Sequence, residues 1–202
     1  AYTTGDQVLE AVRASFPGHG EPSHMVITPD SKYAFIGNMH AGIVTVVDIP
    51  AGVEAKAMEG FNEPHNFEVT PDGKKVYVAN FAAHEVTVID VERLEIAKRI
   101  SVGGMNEATG LDTDRFLGNV EGVPAPTMSL DGKFLFAADT DLGLMAVIET
   151  KTDKVIKTIP LGGKPWKAYP SSDGKYMIVA INDSNEIAVV DVASQKLVST
   201  MP

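Results

Sequence analysis

The chain has 202 residues, 44% hydrophobic and 22% charged, which is enough to bury a full core in one domain or two small ones. Its formal net charge is −10 and it has no run of Lys and Arg, which argues against nucleic acid as a partner because phosphate binding needs clustered cations. It has no cysteine, which excludes disulfides, thiolate metal ligands, covalently attached c-type haem and a cysteine nucleophile, and no apolar run approaches the roughly 18 residues of a membrane-spanning helix.

The first segment, TTGDQVLEAVRASF, has two readings. Thr4 and Gln7 could form the capping box of an amphipathic helix. Alternatively, Val8, Glu10 and Val12 alternate as in a strand, and the segment matches two later stretches, KTDKVIKTIP and ASQKLVSTMP. The strand is the better fit, which makes residues 1–20 the outer strand of a preceding sheet. No secretory signal pattern is present, and AYTTG reads as the start of a processed or trimmed chain.

From residue 21 onward the elements are short β-prone runs punctuated by turns. The second unit is the clearest: HNFEVT, a Pro-Asp-Gly turn, KKVYVAN, a loop, EVTVIDV, a polar turn and EIAKRISV. Asp and Gly favour reversal there, because Asp bonds locally and Gly tolerates positive φ. The same order recurs. The turn acids Asp30, Asp72, Asp131 and Asp173 are spaced by 42, 59 and 42 residues. The acids that close the apolar runs, Asp48, Asp90, Glu149 and Asp191, keep the same spacing. Two independent markers in one register establish a repeat, with 17 extra residues in the third unit. The units are 21–61, 62–104, 105–163 (carrying the insertion 104–121) and 164–202.

Each unit predicts four antiparallel strands. Val76, Tyr77, Val78 and Ala79 make the second strand apolar on both faces, so it must be covered on both sides. Radially stacked four-stranded sheets provide that cover, which gives an all-β fold, a β-propeller, as one domain or a segment of one.

At this point the residues resemble a known family. PDGKKVYVAN followed by VTVIDV resembles the YVTN-type β-propeller repeat, in four copies over nearly the whole chain, with VYVAN the best match. The resemblance implies a periplasmic or extracellular setting. It also implies one of several uses: surface-layer modules, domains similar to the haem d1 domain of nitrite reductase, or parts of copper enzymes similar to nitrous oxide reductase. Blades of this size usually close a ring in sets of about six to eight. Four blades therefore imply a piece of a longer chain, or a ring completed by a second copy or another protein partner.

The up-and-down path of a blade puts the blade-to-blade links and the second-to-third loops on one face. All five histidines fall there. His19, His24 and His65 lie in or just after links, and His40 and His84 lie in the loops GNMHAG and NFAAHE. Imidazole is the commonest metal ligand, so His24, His65, His40 and His84 are candidate ligands for copper, zinc or a haem-type cofactor. His65 leads, since it follows Pro64 at the mouth of the central channel. His24 is offset by one position from His65 relative to the turn, which would point it to the other side of its strand. The insertion, GMNEATGLDTDRFLGNVE, shares that face and offers Glu107, Asp112, Asp114 and Arg115, with Phe116 and Leu117 as apolar anchors.

Other features read structurally. Asn38, Asn80 and Asp139 recur at the end of the second strand as local caps. Trp166 is expected to pack between blades, and the acidic loops DTDLG and NDSNE lack the EF-hand pattern. No GxSxG elbow and no phosphate-binding loop before a helix is present. Two functions therefore stand: an extracytoplasmic binding or scaffold module with a histidine-rich face, or a metal- or haem-dependent redox domain. A lactonase-like hydrolase would need an acid-bearing channel, for which Glu63 and Glu68 are the few candidates.

Overall fold

A computed structural model describes residues 22–103 and 121–202. The N-terminal segment with His19, and the insertion residues Glu107, Asp112, Asp114, Arg115, Phe116 and Leu117, lie outside the described residues. Among the described residues there are sixteen strands and no helix, arranged as four sheets of four antiparallel strands.

The first blade holds β1 (Pro22–Ile27), β2 (Tyr33–Asn38), β3 (Ile43–Asp48) and β4 (Val53–Glu59). The second holds β5 (Pro64–Val69), β6 (Lys75–Asn80), β7 (Glu85–Asp90) and β8 (Glu95–Ser101). The third holds β9 (Pro126–Met128), β10 (Phe134–Asp139), β11 (Leu144–Glu149) and β12 (Lys154–Pro160). The fourth holds β13 (Pro165–Pro170), β14 (Tyr176–Ile181), β15 (Glu186–Asp191) and β16 (Lys196–Met201). Strands pair in sequence order within each blade, and the first strands lie beside one another, β1 by β5, β5 by β9 and β9 by β13. The fold is thus the propeller of four-stranded blades that the repeat predicts.

The turn after each first strand is built the same way four times. The hydroxyls of Thr28, Thr70, Ser129 and Ser171 donate to the carboxylates of Asp30, Asp72, Asp131 and Asp173 at 2.6–2.7 Å. Each carboxylate also accepts the backbone N–H two residues on. The residue after Asp has positive φ in every copy, Gly73, Gly132 and Gly174 at 70–72° and Ser31 at 59°. Glycine takes that conformation freely, whereas Ser31 adopts it against its Cβ.

The core lies between blades. Phe35, Val44, Val46 and Met58 of the first blade meet Phe67, Val76, Val78 and Ile89 of the second. Tyr77, Ala79, Val86 and Val88 then meet Met128, Leu135, Ala137 and Ile148. Phe136, Met145, Val147 and Ile159 meet Met177, Val179, Ala188 and Val190. This two-sided burial is why the middle strands carry apolar residues on both faces.

The joint between the second and third blades carries additional polar ties. The Tyr77 hydroxyl donates to Asp153 at 2.6 Å, and the Lys75 ammonium pairs with the other oxygen of Asp153 at 2.6 Å. His84 Nδ1 lies 2.7 Å from Asp139. This is also the joint whose covalent link is longest, from Ser101 to Pro126. A long link holds its ends together weakly, so contacts must fix the blades relative to each other.

Candidate functional site

The site forms where β1, β5 and β13 begin. Each of these strands opens with a two-against-one bulge. Pro22 faces Asn38 and Met25 faces Ile36, so Ser23 and His24 together oppose Gly37. Likewise His65 and Asn66 together oppose Ala79, and Trp166 and Lys167 together oppose Ala180. A bulge bends the strand and re-aims its side chains. It overturns the expectation that His24 points away from His65: the two rings lie with centroids 4.5 Å apart and planes tilted by 44°.

Two aromatic rings complete the cluster. Phe81, from the β6–β7 loop, lies 5.4 Å from the His65 ring, and Trp166 meets His65 edge-on at 6.2 Å. Phe81 and Trp166 touch each other at 5.6 Å. Trp166 thus packs between blades as expected, and it does so on the imidazole of His65. Phe81 was not foreseen as a site residue. The only sequence signal for it was one large apolar side chain in an otherwise small, polar loop.

The tautomer of His65 follows from its neighbours. Nδ1 lies 2.7 Å from the carbonyl oxygen of Pro124, across the joint to the third blade. A carbonyl only accepts, so Nδ1 carries the proton and donates it. Asn66 Nδ2 donates to the same oxygen at 3.2 Å. Asn66 Nδ2 also approaches Nδ1 itself, at 2.7 Å. With Nδ1 donating to Pro124, Nε2 keeps its lone pair. That is the state of an imidazole prepared to ligate a metal, with the other nitrogen anchored to a carbonyl.

His24 has a depressed pKa. Burial lowers its pKa first, and the neighbouring His65 and Lys167 lower it further. Burial also raises the pKa of Glu68 in β5, against the backbone N–H of Met128 and the charge of Lys167.

The other two candidate histidines do not join this pair. His40 is exposed in the turn between β2 and β3. His84 is buried, 7% exposed, against Asp139, whose side chain is fully buried. Among the described residues no three His, Asp or Glu side chains converge as a metal cage. The recurring caps also do more than cap. Asp139 accepts the Leu142 N–H locally but binds His84 across the joint. Asn80 bonds Thr87 and accepts the N–H of Asn62 in the link before β5. Asn38 donates to Thr45 and Ile43, and its Oδ1 has no partner among the described residues.

Comparison with known proteins agrees with this fold. A hydrazine synthase structure of Kuenenia stuttgartiensis is similar at 25% identity with a TM-score of 0.73, over 89% of this chain and 48% of that one. Dihydro-heme d1 dehydrogenase NirN, solved in complex with DHE, is similar in fold at 16% identity with a TM-score of 0.69, over 91% of this chain and 38% of that one. The chain therefore spans less than half the length of either structure, and no curated protein matches it. The sequence pattern of the cytochrome D1 heme domain matches residues 5–201, nearly the whole chain, so this propeller belongs to the cytochrome D1 heme domain family.

Proposed function

We propose that this chain is an extracytoplasmic propeller segment that holds a haem-type cofactor, with Nε2 of His65 as the iron ligand. The observation that carries this reading is the Nδ1–H bond to Pro124, which fixes the ring and leaves Nε2 free to donate its lone pair. Phe81 and Trp166 offer apolar surface for a macrocycle, and His24 lies within one ring-width of the iron ligand. The cofactor would supply redox chemistry or ligand binding at iron. The protein's part is to orient the imidazole, to place His24 beside it and to exclude water with the aromatic rings. A copper or zinc centre is less well supported, because the described residues bring only two imidazoles together and no third ligand.

The partner is a further blade, from a second copy or from additional chain. The support is positional. Ile178, Ala180, Ile187, Val189 and Met201 of the fourth blade are the repeat equivalents of Tyr77, Ala79, Val86, Val88 and Ile100, all at most 5% exposed in the second blade. In the fourth blade Ile187 is 40% and Met201 45% exposed. These interface side chains are less covered by the described residues than their second-blade equivalents.

The test is titration with hemin. The wild-type protein should develop an axially ligated Soret band at equimolar hemin, and His65→Ala should abolish it, while His40→Ala leaves it unchanged. Identical spectra for wild type and His65→Ala would end this reading.

A further inference from the structure

The Phe81 and Trp166 rings touch, although the second and fourth blades that carry them are separated by the third. β9 of the third blade lies beside both β5 and β13. The spacing of the two rings therefore depends on what the third blade holds on each side. Toward the second blade it holds the Phe81 loop. The Gly122 N–H donates to the Phe81 carbonyl at 2.7 Å, and the Val123 N–H donates to the Ala83 carbonyl at 3.2 Å. Pro124, next in the chain, takes the Nδ1 proton of His65 on its carbonyl. Gly122 is required for this approach, because a Cβ there would collide with the Ala83 carbonyl group.

Toward the fourth blade the tie is Thr140, which is only 1% exposed. Thr140 directly follows β10, as Phe81 follows β6 and Asn182 follows β14. All three donate their N–H to the link that precedes their own blade, to the carbonyls of Gly122, Glu63 and Lys164 respectively, at 2.9–3.0 Å. That bond belongs to the repeat. Thr140 adds one that does not: its hydroxyl donates to the carbonyl of Pro165 at 2.9 Å, in a buried bond, and Pro165 immediately precedes Trp166. Among the described residues it is the only one of the three whose side chain hydrogen-bonds into the following blade. One path of hydrogen bonds thus runs from Phe81 through Gly122 and Thr140 to Pro165, and the same entry segment ends on His65.

We propose that Thr140 is a positioning residue, which acts through the Pro165 carbonyl to hold Trp166 against His65 and Phe81, with Gly122 as the point from which it is held. The proposal rests on the haem-type reading above only for what the cluster binds; the placement of Trp166 is a property of the protein without ligand. A buried threonine that merely satisfies its own hydroxyl would contribute to stability and leave the indole where it is.

The test reads the indole directly, since Trp166 is the sole tryptophan. Thr140→Val keeps the shape and removes the donor. Its emission should shift to the red and its quenching by acrylamide should rise, while Thr140→Ser, which keeps the hydroxyl, should behave as wild type. Thr150→Val is the matched control: the Thr150 hydroxyl donates to the Gly132 carbonyl at 2.7 Å, beside the Asp131 turn of the same blade, and its loss should leave Trp166 unchanged. In the hemin titration Thr140→Val should bind about tenfold more weakly, a difference of about 1.4 kcal/mol, with the Soret position unchanged because His65 keeps its bond to Pro124. The positioning role is overturned if Thr140→Val leaves emission and quenching at wild-type values, if Thr140→Ser changes them as much as Thr140→Val, or if Thr150→Val changes them equally. A wild type that takes up no hemin, with Trp166 responding to Thr140→Val as expected, would end the iron-ligand reading and uphold the positioning role, so the two are read independently.

Discussion

The joint that carries the site can be probed away from it, at Tyr77. Its ring is fully buried and its hydroxyl donates to Asp153 Oδ1 at 2.6 Å across the second and third blades. Burial, and then the adjacent carboxylate, raise the phenol's pKa above its ordinary value, so it remains the donor at any working pH. Tyr77→Phe keeps the ring contacts and removes one charge-assisted hydrogen bond, which contributes about 1.5–3 kcal/mol. Asp153 is not orphaned by this change, because Lys75 still pairs with Oδ2 at 2.6 Å. That pair is partly exposed, 31% on the lysine side, so it adds only about 1 kcal/mol. Asp153→Ala removes both bonds and leaves the hydroxyl buried with only the Thr150 carbonyl at 3.4 Å, and it should cost about 2.5–4 kcal/mol. Urea unfolding at constant m-value measures both variants. A loss below about 0.5 kcal/mol for Tyr77→Phe would show that this polar tie does not hold the joint.

Gly37 packs so closely under the second blade that a Cβ would lie 2.5 Å from the Pro64 carbonyl oxygen. Gly37→Ala should therefore destabilise by about 1–3 kcal/mol in the same assay, and a neutral result would contradict the packing. The four turn aspartates have folded pKa values below the usual 3.8, about 2 for Asp131 and Asp173, through bonds from Lys133 and Ser129 and from Ser171 respectively. A depressed carboxylate stabilises above its unfolded pKa and ceases to as pH falls through its folded one, so stability should drop between pH 3.8 and about 2, less steeply in Asp131→Asn. Equal slopes for wild type and variant would refute the assignment. Ile187→Asp, on the open face of the fourth blade, should reduce binding of an apolar dye and shift sedimentation toward the smallest species. Unchanged behaviour would remove that face as a docking surface.

The repeat, the strand count, the turn chemistry and the blade-on-blade core were legible in the sequence, because each is written locally. A short run that is apolar on both faces says that a strand is covered on both sides, and a Ser/Thr-x-Asp-Gly turn says where it reverses, wherever the chain then goes. That His24 and His65 open first strands while His40 and His84 lie in second-to-third loops also followed from strand direction alone. What joins them did not. His24 and His65 occupy alternate-parity positions, and only the bulges, which depend on pairing with Gly37 and Ala79, bring their rings together. The group that fixes His65 is a backbone carbonyl, that of Pro124, which no side-chain motif could announce. Asp139 looked like a cap from its place in the repeat, and its second partner, His84, belongs to another blade. These contacts span large sequence separations. They are set by how neighbouring blades dock, so the tertiary structure alone decides which of the described imidazoles lie together.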